Sequence, residues 1–247
     1  MAHKTLVGGT AYAANGGRAL VNGTGYGIKK GRTLVGGTGY DINFVSYDPV
    51  FANNDWAAII EACQTRNIPS TWTVGSQKAM TINGKEYPID IIGLGHDTYA
   101  DGSGKAPITF QMHDCYDTKY TMNSTATNVG GWGSCAMRTT HLPAIMALMP
   151  SNVQSAIREV SKTTDSVVTA DKLFLLSRSE IAATGYPYYK DTSLKAKTRN
   201  GTECAWWTRD PYSTKTTGFF GVLSGGSTTM VLDANNTNPA VSFAFCF

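Results

Sequence analysis

Leu-Val pairs and tyrosines recur in fixed register through the first forty-odd residues. Lys4-TLVGGTA-Tyr12 returns as Arg18-ALVNGTG-Tyr26 and again as Arg32-TLVGGTG-Tyr40, a spacing of 14. In each unit the Leu-Val step suits a pleated strand. The Gly-Gly or Asn-Gly step that follows supplies the positive φ of a tight hairpin turn. Thr-x-Tyr then gives the return strand, with Gly16-Gly17 closing the first unit and Lys30-Gly31 the second. The pattern predicts a β-hairpin repeat region over residues 1–45. A flexible Gly-rich leader has no need of Leu-Val and Tyr at constant spacing. A unit this short cannot bury its own apolar face, so it must stack on neighbours or on other chains.

Beyond the repeats the periods change. Asp55 reads as an N-cap, and Trp56, Ile59, Ile60 and Cys63 fall at helical spacing up to about Asn67, with Pro69 beyond. Residues 46–70 are therefore read as a helical connector. Thr71-WTVGSQKAMTIN-Gly84 and Lys85-EYPIDIIGL-Gly95 read as strands joined at Asn83-Gly84, and Thr109-FQM as a third. Trp132 to His141 reads as a helix, and Pro143 opens a second. Ser151-NVQ looks like a capping box that opens a third, with Val153, Ile157 and Val160 on its inner face. Lys172-LFLLS reads as a buried strand, and Ser177-RSE as a capping box for a helix through Ala182. From Cys204 onward only strands and loops are expected. At the end, Val241, Phe243, Phe245 and Phe247 alternate with Ser242, Ala244 and Cys246, the signature of a half-buried strand. The class is α+β with antiparallel pairing dominant.

A chain of 247 residues suits one sizeable domain with a small appendage. The net charge of +3 divides into +4 over the first 44 residues and −1 over the remainder. The basic residues are spread evenly through the repeat, which fits edge protection of exposed strands better than a nucleic-acid patch. The amino-terminal residues lack the apolar stretch of a signal peptide, and Ala144-IMAL-Met149 is too short to span a bilayer, so no membrane insertion is expected. The five cysteines are odd in number and widely spaced, with no Cys-x-x-Cys pair. Buried reduced thiols are expected rather than a zinc site or a disulfide framework.

Candidate chemistry is sparse. His96-Asp97, Asp101 and His113-Asp114 are metal-ligand types, but they match no helical His pair, and Asp101-GSG reads as a turn, so no metal is expected. Ser134 and Cys135 lie near His141 in sequence, yet six positions on a helix put Cys135 and His141 on different faces. Gly93-Leu94-Gly95 is not followed by the residues of a phosphate loop. No enzyme activity and no cofactor are expected. The strongest binding signal lies after Cys204. Trp206 and Trp207 must face opposite sides of a strand, so at least one belongs to the core. The expected ligand face runs from Trp207 to Asn238. Tyr212, Phe219 and Phe220 are its anchors, beside Trp207, and Arg209, Asn235 and Asn236 are its polar contacts. The alternative for each is a sheet core with polar turns.

Thr71-WTVGSQKAMTINGKEYPIDIIGLGHD, Asp101-GSGKAPITFQMHDC, Met122-NST with NVGGW, Ala136-MRTTHLP, Asp171-KLFLLSRSEI and Trp206-WTRDP occur in that order. Together they resemble a family of domains of unknown function found in phage, prophage and surface proteins of Firmicutes. The resemblance covers residues 54 to 247 and departs from the family pattern at Thr208 and Asp210. The 14-residue repeats resemble the amino-terminal regions of phage structural proteins. The layout from Trp206-Trp207 to the Phe-rich end is similar to C-type-lectin-like folds, which include variable phage receptor-binding proteins. The resemblance implies a lectin-like α+β domain over residues 71–247. It implies a virion protein, made in the bacterial host cytoplasm, that is attached through residues 1–45 to other virion structural proteins. As a tail fibre or adhesion protein it would bind a host surface glycan or protein; a homotrimer is the implied assembly. The competing reading is a purely structural head decoration or neck fibre protein. An enzyme of the formylglycine-generating type shares the lectin-like fold but needs paired catalytic cysteines, for which Cys204 and Cys246 are the candidates.

The repeat reading has a direct test. Sedimentation of the full chain is expected to give an oligomer, and a chain beginning at Asn54 a monomer. Monomeric mass for both, with no virion partner bound, would exclude the assembly role.

Overall fold

The computed structural model describes six strands between residues 4 and 43 and the continuous stretch 47–247. The chain divides into two compact units, Met1–Asp48 and Pro49–Phe247. In the first, β1 (Lys4–Val7) pairs with β2 (Thr10–Ala13), β3 (Arg18–Val21) with β4 (Thr24–Gly27), and β5 (Lys30–Val35) with β6 (Thr38–Asn43), all antiparallel. The register is the same each time: Val7 opposes Thr10, Val21 opposes Thr24 and Val35 opposes Thr38. The expected turn residues Gly8-Gly9, Asn22-Gly23 and Gly36-Gly37, and the closing Gly16-Gly17, lie outside the described residues. Lys30 and Gly31 do not close the second unit; they are the first residues of β5.

The second unit is a mixed α+β domain built from antiparallel sheets. Helix α1 (Trp56–Thr65) starts where Asp55 accepts a hydrogen bond from the Ala58 N–H at 2.7 Å. It stops where Arg66 turns left-handed at φ 55°. Strands β7 (Gln77–Ile82) and β8 (Lys85–Leu94) form a hairpin around Asn83-Gly84, both at positive φ, and β9 (Ile108–Met112) pairs with β8.

Helix content in the middle of the chain is more broken than the sequence suggests. Helix α2 (Gly131–Ser134) ends at once because Cys135 is extended, and Met137–His141 form a π-helical turn before α3 (Leu142–Met146). Ser151 does not cap α4 (Ser151–Ala156). It is already inside the helix, and Pro150 precedes it without a side-chain bond. Gln154 instead reaches back to the carbonyl of Met149 at 2.7 Å. Val160 belongs not to this helix but to β10 (Val160–Thr164), which pairs with β11 (Val167–Asp171).

Ser177-RSE does make its capping box. Glu180 accepts from the Ser177 N–H at 2.9 Å, and Ser177 Oγ accepts from the Glu180 N–H at 3.2 Å. No helix grows from it, because the chain reverses at Gly185, where a Cβ would stand 2.1 Å from the Glu180 carbonyl oxygen. Further on, β13 (Lys197–Arg199) pairs with β14 (Thr202–Cys204). Strands β15 (Trp206–Pro211), β16 (Gly218–Val222) and β17 (Met230–Asp233) form a second sheet.

The closing strand β18 (Ala244–Cys246) lies inside the main sheet between β9 and β12 (Leu173–Phe174). It is not half-buried as its alternation suggested: every residue from Val241 to Phe247 is buried. One face is aromatic. Phe245 stacks on Phe110 at 5.2 Å, and Trp56 of α1 packs on Phe110, Phe245 and Phe247. The other face is polar and equally covered. Tyr186, Tyr188 and Tyr189 lie over it and donate to Asp97 at 2.6 Å, Asp90 at 2.6 Å and Gln111 at 2.5 Å.

Phe245→Ala is expected to lower stability by about 3–5 kcal/mol in urea denaturation, the usual effect of emptying a packed aromatic site. Removal of the last six residues should prevent folding altogether; a soluble, cooperatively melting product would contradict this placement.

Candidate functional site

Two places in the second unit gather chemistry, and they differ in access. The first is a closed charged network. Lys162, fully buried, donates to Asp97, to Glu180 at 3.1 Å and to Tyr186 Oη at 2.9 Å. Its ammonium also lies 3.9 Å from the centre of the Phe174 ring. Arg209 donates to Glu180, to Thr164 Oγ1 at 2.8 Å and to the Leu175 carbonyl at 2.9 Å. Burial opposes ionisation of Asp97, but the neighbouring His96, then the charge and hydrogen bond of Lys162 and the Thr109 hydroxyl, hold its carboxyl well below the usual range. Burial likewise opposes Glu180, and the charges of Lys162 and Arg209 win, so its pKa is lowered. Each acid and base here already has its partner. The cluster fixes β10, β15 and the Ser177 turn to the sheet. His96 stands beside it: its Nδ1 is 3.7 Å from Asp97, too far for a hydrogen bond, and has no other partner among the described residues.

The second place is open. A cleft of about 320 Å³ is bounded by Asn128–Gly133, by the β10–β11 hairpin tip and by the β15–β16 loop. Asn128 builds it. Its amide lies within reach of the carbonyls of Tyr212 at 2.9 Å, Lys215 at 3.1 Å and Gly218 at 2.7 Å, so two N–H groups serve three acceptors. Its backbone N–H bonds Thr216 O at 2.7 Å. The loop that carries Tyr212, Ser213 and Thr216 is thereby held open along one wall. Gly130 must be glycine: φ is +82°, and a Cβ would stand 1.9 Å from Ser134 Oγ. The floor is Trp132, whose indole N–H bonds Asp171 at 2.8 Å, and Arg138 holds the other oxygen of Asp171 at 2.5 Å. Thr164, Asp165, Val167 and Thr169 form the opposite wall.

The residues expected to face a ligand are only partly at the surface. Trp207 and Phe219 are wholly buried, and Trp207 donates to Tyr120 O at 3.1 Å. Arg209 is 2 % exposed and belongs to the closed network. These three are corrected from ligand contacts to core. Phe220 is half-buried, with the Arg178 guanidinium 3.9 Å above its ring and Tyr212 edge-on at 5.1 Å. Asn235 and Asn236 sit in the turn after β17, where Asn236 Oδ1 accepts from the Asn238 N–H. Of the seven, Tyr212 alone lines the cleft. Of the other lining residues, Asn128, the two glycines and Trp132 fall in NVGGW, which the sequence offered as a motif of resemblance and not as part of a site.

Among the described residues no group of three or more His, Cys, Asp or Glu side chains could hold a metal ion. Asp90, His113 and Tyr188 form a further polar group, with His113 Nδ1 2.7 Å from Asp90 Oδ2. Cys204 and Cys246, the pair an oxidase of the lectin-like fold would need, have different neighbours. Cys246 is buried against Thr109 and Asp97.

Residues 108–242, more than half of the chain, match the family described as a domain of unknown function, DUF6273. The chain belongs to the DUF6273 family. No curated protein and no solved structure matches it. The cleft and the tyrosines that cover the sheet all fall within the DUF6273 span.

Asn128→Ala is expected to destabilise the DUF6273 unit by about 1–3 kcal/mol, because it removes the buried amide that braces the 212–218 loop; the Gly218 and Lys215 carbonyls keep backbone donors from Tyr212 and Gly218. Hydrogen exchange should quicken most in the 212–218 loop. A pH profile of the urea midpoint tests the charges. The lowered carboxyls of Asp97, Glu180 and Asp90 contribute stability above the ordinary carboxylate pKa of about 4, lost as pH falls through their folded values. The His113 pKa is raised, first by its hydrogen bond to Asp90, with burial and the Lys197 charge opposing and Asp114 assisting. Its contribution is full below about 6.5 and lost as pH rises through the folded value. His113→Asn should abolish that decline on the alkaline side and shrink the Asp90 share of the acid limb, leaving the shares of Asp97 and Glu180.

Proposed function

We propose that this chain is a recognition protein of a phage particle, attached through the hairpin repeats and binding a short glycan of the bacterial surface in the Asn128–Tyr212 cleft. The cleft is the observation that carries this reading. It is open, of a size near the lower end of the roughly 300–1,000 Å³ typical of small-molecule sites, and built on a rigid amide clamp. Its lining of hydroxyls, one carboxylate at Asp165, and the apolar surfaces of Tyr212, Pro211 and Val167 suits a sugar ring, which presents hydroxyls at its edge and C–H groups on its face. Among the described residues no hydrogen bond joins Asp165 to a hydroxyl of the lining, and binding without covalent chemistry is the role proposed. The attachment and virion parts rest on the resemblance of the 14-residue repeats to phage structural proteins, and a homotrimer is part of the same proposal. A C-type-lectin-like architecture is also proposed. Its support is the carboxyl-terminal strand within the main sheet and the separate three-stranded sheet that follows Cys204.

The structural reading, a decoration or neck protein with no specific ligand, is favoured by one observation: Trp207, Phe219 and Arg209 serve the core. Binding of the purified full chain to host cells decides between them. Wild type is expected to bind, with Tyr212→Ala and Asp165→Ala each weakening binding about tenfold or more, as for central contact residues. Absence of binding by wild type, or equal binding by both folded variants, would replace recognition with the structural role.

A further inference from the structure

The closed charged network brings a lysine, an aspartate and a glutamate into one buried contact. Lys162 comes from the middle of β10, Asp97 from the segment after β8, and Glu180 from the Ser177 turn. Lys162 Nζ donates to Asp97 Oδ1 and, at 3.1 Å, to Glu180 Oε1. The Lys162 and Asp97 side chains are 2 % and 5 % exposed, and the centre of the Phe174 ring lies 3.9 Å from Nζ. The second oxygen of Asp97, Oδ2, accepts from Tyr186 Oη at 2.6 Å and from Thr109 Oγ1 at 2.5 Å. An amine, a carboxyl group, a base and two donors to one carboxyl oxygen are thus held in van der Waals contact and away from water.

We infer that Lys162 and Asp97 condense to an amide, a side-chain cross-link made by the folded chain that consumes no co-reactant and releases one water. Four charges are buried here, two of each sign, and taking charges out of water is costly even when they are paired. Condensation replaces Lys162 and Asp97 by a neutral amide, while Glu180 keeps Arg209 as its partner. The interior loses one ion pair and strands no charge. Folding has already brought amine and acid together, so the entropic cost of their encounter is met in advance. The Lys162 proton first passes along its hydrogen bond to Asp97 Oδ1, which leaves an amine and a carboxylic acid. The Nζ lone pair then attacks Asp97 Cγ. The C=O π pair moves to Oδ2, where the Tyr186 and Thr109 hydroxyls stabilise the developing charge. Burial, and then the charges of Glu180 and Asp97, raise the Tyr186 pKa, so its hydroxyl stays a donor. Glu180 takes a proton from Nζ and returns it to Oδ1. The Cγ–Oδ1 bond breaks, water leaves, and the C=O reforms at Oδ2. Glu180 is the base and not the electrophile, because Arg209 and the Ser177 N–H hold its other oxygen as a carboxylate. The bond ties β10 to the segment after β8 and closes a long loop of the chain. The Asp97 share of the acid limb of stability belongs to the uncondensed chain and vanishes with condensation.

The mass of the purified full chain, unfolded and reduced, tests this. Wild type is expected to be one water lighter than its sequence, and digestion should release a branched peptide that joins Lys162 to Asp97. Trypsin should no longer cut after Lys162. Lys162→Met and Asp97→Ala should each show the full mass of their own sequences. Glu180→Gln keeps the contact but removes the base, so loss of water from the folded variant should be slower by about a hundredfold or more. Should any variant fail to fold, the wild-type mass and branched peptide still decide. Wild type at its full sequence mass, a link from Lys162 to Glu180 or between other residues, or a folded Glu180→Gln chain that condenses as fast as wild type would each overturn the inference.

Discussion

A strand buried on both faces must satisfy two different neighbours at once, and β18 does so with opposite chemistries. Phe245 and Phe247 meet Trp56 and Phe110 on one side. On the other side the sheet presents Asp90, Thr109 and Gln111, groups that are costly to bury without partners. Of the tyrosines of Gly185-Tyr-Pro-Tyr-Tyr, Tyr188 donates to Asp90, Tyr189 to Gln111 and Tyr186 to Asp97, which also accepts from Thr109, while their rings exclude water. Lys162 and Arg209 then neutralise the acids that the arrangement traps. Removal of one member of such a network leaves an uncompensated charge, which is far more harmful than never having had the pair. The Ser177 turn, β10 and β15 all hang on this layer, and through β10 and β15 so do two walls of the cleft.

What could be read along the chain was local. The Asp55 cap and the Trp56–Cys63 spacing located α1, and Asn83-Gly84 located the β7–β8 turn, because the determining atoms lie within a few residues of one another. The failures were nonlocal. Ser242, Ala244 and Cys246 look like a solvent face because they are small. Only the tyrosine layer, some sixty residues earlier, makes that face interior. Arg209 next to Trp207 looks like a recognition pair until Glu180, 29 residues upstream, is seen to hold it. The Ser177 box met every local rule and still gave no helix, since the chain reverses at Gly185; its Glu180 carboxylate also serves two distant cations.

The cleft was half legible. Tyr212 was singled out, and NVGGW was noted as a motif without its meaning. The two glycines shape the backbone beside Trp132, and the asparagine reaches across to the far loop with a single amide. Asparagine does this where a charged residue could not. It is neutral, so it can be buried beneath three carbonyls without a counter-ion.

The hairpin repeats share one register, and among the described residues each ladder closes within its own unit. An in-frame duplication or loss of one 14-residue period therefore leaves every remaining ladder intact, whereas an insertion of another length inside a unit would break one. Copy number is thus a trait that can drift or be selected by simple slippage during replication. It can do so without any compensating change in the sheets of the second unit, which among the described residues share no strand with the repeats.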